Sequence, residues 1–215
     1  MPGKILAIEC DGVYNGGNNR EVQTMGREFE LKYRAEASDL AAIREAFGEF
    51  TAIQMETTYY DTPDRALSLR RWTLRRRYEN GVSVCTVKTP APGGGRGEWE
   101  ICCDDISEAI APLVAQGAPA ELAALAGDGL EAHCAARFTR LALTLELPET
   151  TAELALDEGV LLGGGKTLPF AEVEVEHKSG SEALTAAWAS ALAERFRLQP
   201  ENRSKVQRAR ALAER

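Results

Sequence analysis

Through much of this chain apolar residues recur at every second position, and the positions between them carry charge. In Glu28-Phe29-Glu30-Leu31-Lys32-Tyr33 the alternation puts Glu28, Glu30 and Lys32 on one face of a strand over 27–34 and the apolar residues on the other. Trp72-Thr73-Leu74-Arg75-Arg76-Arg77 sets Arg75 and Arg77 opposite Leu74, and Cys85-Thr86-Val87-Lys88 sets Thr86 with Lys88. These runs flank Glu79-Asn80-Gly81, so 72–79 and 83–89 predict a hairpin, Asn-Gly being the strongest short hairpin signal. Further strands are predicted over 52–60, over 97–103, and over 138–147 with Leu141, Leu143, Leu145 and Leu147 on one face. A second pair, 151–157 and 169–177, flanks a glycine-rich turn.

Helical spacing takes over elsewhere. Ser38 is placed to cap a helix to Phe47 whose apolar stripe is Leu40, Ile43, Ala46 and Phe47. Alanine-rich helices are predicted over 106–116, 118–126, 181–196 and 200–214, with a short link at 66–69 and a flexible glycine loop at 91–97. Residues 1–25, containing Gly16-Gly17-Asn18-Asn19, read as a poorly packed extension with Met25 as an alternative start, leaving 26–215 as one domain. The fold class expected is α+β: an antiparallel sheet of about eight strands, the number that closes a small barrel, with helices packed outside.

Composition narrows the chemistry. A net charge of −8 argues against nucleic acid as the main partner, and no apolar run approaches the length of a membrane span. The five cysteines include no C-x-x-C spacing, so neither a disulfide framework nor a zinc site is expected, and a reducing cytoplasm is the natural home. With only His133 and His177 present, any metal must be held by oxygen, which points to a hard cation such as Mg²⁺ or Mn²⁺.

A charged alternate face on a strand usually meets water. Here Glu98-Trp99-Glu100 repeats a carboxylate pair, and Glu153-Leu154-Ala155-Leu156-Asp157 turns two acids away from its leucines. Glu172-Val173-Glu174-Val175-Glu176 stacks three carboxylates in a column, and the strand from Phe138 adds Arg140. Like charges at i, i+2 and i+4 repel unless cations lie opposite. Acidic and basic faces also fall on different strands. A barrel with charge inside and helices outside meets both demands, and its interior would take a chain of phosphates on arginine forks and lysine point charges, with carboxylates holding Mg²⁺.

These runs resemble the CYTH superfamily of triphosphate tunnel metalloenzymes. Glu28-x-Glu30-x-Lys32 is similar to its opening signature, and Tyr59-Tyr60-Asp61-Thr62-Pro63-Asp64 to its tyrosine-aspartate-threonine-proline turn. Leu74-Arg75-Arg76-Arg77, Thr86-Val87-Lys88-Thr89, Arg96-Gly97-Glu98-Trp99-Glu100, Leu156-Asp157-Glu158-Gly159 and the Glu172–Glu176 column follow in the family's order. The resemblance implies an eight-stranded antiparallel tunnel that hydrolyses or cyclises triphosphates with a divalent metal, and inorganic triphosphate is the substrate expected. It implies metal ligands at Glu28, Glu30, Asp157, Glu172, Glu174 and Glu176. Phosphates would be held by Lys32, Arg75, Arg77, Lys88, Arg140 and a C-terminal lysine, Lys205. Lys32, Glu172 and Glu174 would orient the attacking water, while Glu98 and Glu100 would order the basic residues or a second metal. A class IV-type adenylyl cyclase, a thiamine triphosphatase and a non-catalytic polyphosphate or nucleotide sensor are the alternatives. The partner expected is a small-molecule triphosphate, with a homodimer allowed for. The chain departs from the pattern in its third carboxylate Glu176, in having no basic residue after Arg140 on that strand, and in the extension before Glu28.

Several features read as bland. Gly163-Gly164-Gly165-Lys166-Thr167 imitates a P-loop, but Val160 stands where the first glycine would be, and Pro169 and a strand follow where a helix is needed. It is predicted to be a hairpin turn. Trp72 and Trp99 are expected under the outer helices, Cys85 in the core, Arg70 and Arg71 on a solvated edge, His177 on the surface, and His133 in a loop or helix end.

Overall fold

The computed structural model describes residues 29–91 and 95–214. Within them nine strands form one antiparallel sheet: β1 Glu30–Arg34, β2 Thr51–Asp61, β3 Thr73–Glu79, β4 Val82–Pro90, β5 Arg96–Cys102, β6 Glu131–Leu147, β7 Thr150–Gly163, β8 Lys166–Gly180 and β9 Gln199–Pro200. Six helices accompany them: α1 Ala37–Phe47, α2 Ala66–Leu69, α3 Ile106–Ala115, α4 Glu121–Ala126, α5 Glu182–Phe196 and α6 Lys205–Ala213. The strand order is β5-β4-β3-β2-β6-β7-β8-β1-β9. The architecture is therefore the expected α+β tunnel, with two differences. A two-residue ninth strand joins β1, and the ladder is not closed by hydrogen bonds between its end strands β5 and β9.

Alternation sorts the strands as anticipated. Leu154, Leu156, Val173 and Val175, all buried, turn outward and meet Leu40 and Ile43 of α1 and Ala189 and Leu192 of α5, with Leu141, Leu143 and Leu147 packed alongside. On the opposite wall Leu74, Cys85 and Val87 meet Ala109 and Leu113 of α3 and Leu122 of α4, and Trp72 and Trp99 pack there too. Each such leucine or valine contributes about 1.5–3 kcal/mol by leaving water. Apolar cover outside leaves the charged positions facing in.

The helix α6 departs from the picture of helices wholly outside. Val206, Ala209 and Leu212 pack against Met55, Tyr59, Phe138 and Phe170, and the first turn of α6 reaches the enclosed space. Ser204 caps this turn in a reciprocal box with Gln207. Close approach to the sheet holds the helix: a Cβ on Gly163 would stand 2.1 Å from the carbonyl oxygen of Ala209. Gly163→Ala is expected to cost about 1–3 kcal/mol by forcing α6 outward, read as a lower urea midpoint. An unchanged midpoint would show that the helix can give way.

Several local expectations are corrected. Glu36, not Ser38, begins α1, in a capping box with Asp39. The link at 66–69 is a one-turn helix, held because Asp61 accepts hydrogen bonds from the amides of Leu67 (3.1 Å) and Ser68 (3.3 Å). The strand β6 begins at Glu131, so His133 lies within a strand. His177 is half-buried and its Nδ1 lies 3.0 Å from Thr185 Oγ1. Strands β7 and β8 continue to a tight turn at Gly164 and Gly165, both at positive φ, so the P-loop imitation is the hairpin anticipated. Cys85, Cys103 and Cys134 are free, and burial raises the Cys85 thiol to about 12, making it inert packing. No helix of the described residues is long and apolar enough to cross a membrane. The extension 1–25 and Glu28 lie outside the described residues.

Candidate active site

The sheet encloses a cavity of about 560 Å³. Among the described residues eight basic side chains (Lys32, Arg75, Arg77, Lys88, Arg96, Arg140, Lys178, Lys205) and seven acidic ones (Glu30, Glu79, Glu98, Glu100, Glu153, Glu174, Glu176) line it. The sign is not mixed at random. Adjacent strands β1, β8 and β7 set Glu30, Glu176 and Glu153 side by side in register, forming an acidic row. Strands β3, β4 and β5 set Thr73, Lys88 and Glu98 in one row and Arg75, Thr86 and Glu100 in the next.

The basic wall is crowded. Lys88 Nζ lies 3.1 Å and Arg75 Nη2 3.5 Å from Glu98 Oε1, and these two cations overcome the effect of burial to hold the Glu98 carboxyl below its usual range. Arg96 Nη2 donates to Thr73 Oγ1 at 3.0 Å. Arg77 pairs with Glu79, yet its Nε is buried without a hydrogen-bond partner. Burial and neighbouring Arg75 both lower the pKa of its guanidinium. Such a cluster favours an anion, which would relieve the repulsion and satisfy the donor.

At the α6 end the charges are already matched. Asp157 and Glu172 are fully buried, and with Glu174 they offer oxygens within 4.8 Å of one another. Lys205, delivered by the first turn of α6, places Nζ 2.7 Å from Asp157 Oδ2 and 2.9 Å from Glu174 Oε1, and also bonds Glu172. Arg140 grips Asp157 with two bonds of 2.8 Å and reaches Glu174, while Arg208 bonds the other oxygen of Glu172. Lys205 also stands over the rings of Phe138 and Phe170, 5.0 and 5.6 Å from their centroids. Burial opposes the charge on Glu174, but Lys205, Arg140 and Lys32 outweigh it and hold the carboxyl well below its usual range. Burial lowers and the three carboxylates raise the Lys205 ammonium, with a net rise.

Among the described residues one carboxylate set has oxygens close enough together for a hard cation, and a second offers the same donor type. The triad Asp157, Glu172 and Glu174 has suitable spacing, but its oxygens already accept from Lys205, Arg140 and Arg208. The row Glu30, Glu153 and Glu176 is more open to water, with side chains 22–30% exposed, and its donors are all oxygen, the type that suits Mg²⁺ or Mn²⁺, though they are spaced more widely than the triad. Lys32 Nζ lies 2.6 Å from Glu30 Oε1.

The α6 turn is anchored by Glu201. Its amide donates to the Lys32 carbonyl at 2.8 Å, and its carboxylate accepts from Arg34 Nε at 2.8 Å and from the Arg203 amide at 3.0 Å. Burial works against the charge, but these bonds and the Arg203 guanidinium pull the carboxyl down to about 2. A depressed acid stabilises fully above its unfolded value of about 4.3, and that contribution is lost as pH falls from there toward its folded value. Glu201→Gln is expected to cost about 1–3 kcal/mol at neutral pH, with the deficit fading as urea titrations are repeated from pH 5 to pH 2.5. A deficit that does not change with pH would rule out the charge as its source.

The structure thus brings together Glu30, Lys32, Arg75, Arg77, Lys88, Glu98, Glu100, Arg140, Glu174, Glu176 and Lys205 around one cavity, with Asp157 and Glu172 buried beneath its floor. Sequence reasoning left Glu79, Arg96, Glu153, Lys178 and Arg208 out of the site. The first four continue alternations already noted: Glu79 follows Arg77, Arg96 precedes Glu98 and Lys178 follows Glu176, each by two positions, and Glu153 precedes Asp157 by four. Arg208 had no such signal, because only the docking of α6 brings it to Glu172.

An antiparallel sheet wrapped around a charge-divided cavity, with apolar faces covered by helices, defines a tunnel fold. The chain belongs to the CYTH domain family, whose model matches residues 26–209. It is 26% identical over 170 residues to an inorganic triphosphatase from Haemophilus influenzae (strain ATCC 51907 / DSM 11121 / KW20 / Rd), covering 73% of this chain and 47% of that protein. The chain therefore spans about half the length of the curated relative it matches. Among solved structures it resembles a candidate adenylyl cyclase from Hippeastrum described as having a dominant triphosphatase activity (TM-score 0.62, 18% identity, covering 86% of this chain and 95% of that one). It also resembles a candidate adenylate cyclase from Bacillus halodurans (TM-score 0.60, 19% identity, 84% and 96%) and the PH1819 protein from Pyrococcus horikoshii OT3 (TM-score 0.56, 23% identity, 87% and 99%). These structural likenesses concern the fold.

Proposed function

We propose that this chain hydrolyses a triphosphate, inorganic triphosphate before others, to diphosphate and phosphate inside the cavity with Mg²⁺ or Mn²⁺. The observation that carries the reading is the division of the cavity into a crowded basic wall and an acidic row facing one enclosed space. The triphosphatase among the relatives, and the triphosphatase activity named for the Hippeastrum protein, support the same chemistry. Arg75, Arg77, Lys88 and Arg96 hold the phosphate oxygens, neutralising the chain and fixing its direction. Glu30, Glu153 and Glu176 would hold the metal, with Glu28 assigned to the same strand by sequence. A divalent cation held there would supply positive charge to offset that on the phosphoryl oxygens. Lys32 and Glu174, which lie at one register position on β1 and β8, orient the attacking water. Asp157, Glu172, Arg140, Lys205 and Arg208 form the ordered floor that keeps this geometry.

Phosphate release from inorganic triphosphate, ATP and thiamine triphosphate, each with Mg²⁺, Mn²⁺ or a chelator, tests the proposal. Inorganic triphosphate is expected to turn over fastest and only with metal. Turnover of none of the three would sink the enzymatic reading. Cyclic AMP in place of released phosphate would move the assignment to a cyclase.

A further inference from the structure

Lys178 is the one lining cation of the acidic side that no part of the proposed reaction uses. It continues the Glu172–Glu176 alternation at the far end of β8 from the floor, with a side chain 39% exposed. Its Nζ lies 2.9 Å from Glu176 Oε2 and 3.9 Å from Glu153 Oε2. It thus sits between two of the three carboxylates of the acidic row. From the other side Arg140 Nη1 approaches Glu153 to 3.9 Å, and Lys32 is held by Glu30.

We propose that Lys178 is a resident counter-cation that competes with the divalent metal for Glu153 and Glu176, so that metal loads well only when an incoming polyanion draws the lysine away. This rests on the triphosphate reading of the cavity. Two positive charges about 4 Å apart repel strongly even at an intermediate dielectric, so a metal bridging Glu153 and Glu176 requires the ammonium to move. Lys178 is able to move. It ends a flexible four-carbon stem at the open side of the cavity and has one close partner. Lys205 is its counterpart at the floor but cannot leave: its side chain is 10% exposed, and it holds three carboxylates under two aromatic rings. The two lysines therefore differ in kind. Lys205 replaces a metal permanently, whereas Lys178 holds a place for one. A triphosphate entering along the basic wall offers Lys178 new oxygens, and the released carboxylates then meet the metal at the same moment as the phosphates.

The test is Mn²⁺ binding to the full chain by electron paramagnetic resonance, without anions and with imidotriphosphate, a nitrogen-bridged triphosphate analogue. Lys178→Gln and Lys178→Arg are compared with the unaltered chain, and thermal denaturation checks that each folds. Lys178→Gln is expected to bind Mn²⁺ roughly tenfold more tightly than the unaltered chain in anion-free buffer. Lys178→Arg should stay near the unaltered chain. The gain in Mn²⁺ affinity on adding the analogue should be large in the unaltered chain and small in Lys178→Gln. Equal anion-free affinities in the unaltered chain and Lys178→Gln would overturn the proposal, as would equal tightening by Lys178→Arg. Tightening in a chain that cleaves no triphosphate would support the competition and overturn only the hydrolytic reading. Mn²⁺ binding by none of the forms would overturn both.

Discussion

Replacing Lys205 with alanine is expected to destabilise the chain by about 3–5 kcal/mol at neutral pH, because it strands buried carboxylates. Asp157 and Glu172 have no access to water, and Glu174 very little. Arg140 and Arg208 would remain, but neither reaches all three acids, whereas the lysine bonds each of them. The pH dependence has a definite sign. In the unaltered chain Glu174 is depressed, so its contribution is present above its unfolded value of about 4.3 and lost as pH falls through its lower folded value. Without Lys205, burial and mutual repulsion would raise the Glu174 carboxyl and push that of Glu172, which burial already lifts to about 7, further the same way, and an acid with a raised folded pKa gains stability as pH falls. The gap between variant and unaltered chain should therefore be widest above pH 7 and close toward pH 4, measured by urea denaturation across that range. Lys205→Met, which keeps most of the volume against Phe138 and Phe170, should recover packing but not the pH-dependent part. A midpoint unmoved in both variants would mean that the two arginines suffice and that the lysine is not part of the floor.

Removing either arginine of the basic wall should have the opposite profile. Arg75→Ala and Arg77→Ala are each expected to lower kcat/KM for inorganic triphosphate by about 10²–10³-fold, the usual loss when one preorganised donor to a charged transition state is deleted. Stability should change by less than about 1 kcal/mol, in the range of pairs open to water. The reason is that neither change strands a deeply buried charge. Glu98 keeps Lys88 at 3.1 Å when Arg75 goes, and Glu79, 23% exposed, is reached by water when Arg77 goes. Relief of the repulsion between the two guanidinia, which adds to burial in lowering the pKa of Arg77, offsets part of what is lost. Steady-state phosphate release beside urea midpoints separates the two quantities. A fall in stability that matches the fall in activity would place the arginines in the fold rather than in the site.

These contrasts follow from what a strand sequence can and cannot encode. Period two alone put Glu30 and Lys32, Arg75 and Arg77, Lys88, Glu98 and the Glu172–Glu176 column on inward faces, because opposite sides of a pleated strand are fixed by local geometry. The leucines and valines between them identified the faces that needed cover, and the helices predicted at 106–116 and 181–196 supply it. Local signals were weaker where an element's limits depend on its neighbours. The strand β6 runs on past His133 to Glu131 because β2 pairs with it there, and the one-turn α2 forms because Asp61 accepts its amides.

Charge on a face says which way a side chain points but not which partner it meets. Asp157, Glu172 and Glu174 look like metal ligands in the sequence, as do Glu30 and Glu176. Only the docking of α6, seated by Gly163 and tethered through Glu201, brings Lys205 and Arg208 from more than thirty residues away onto the inner triad and leaves the outer row more open to water. The sequence by itself determined the family, the strand faces and the charges that line the cavity, since these follow from nearest-neighbour backbone geometry and the burial of alternate apolar residues. The tertiary structure decided which cation each acid meets and how deeply each pair is buried, since Coulomb attraction acts between atoms a few ångströms apart whatever their separation along the chain.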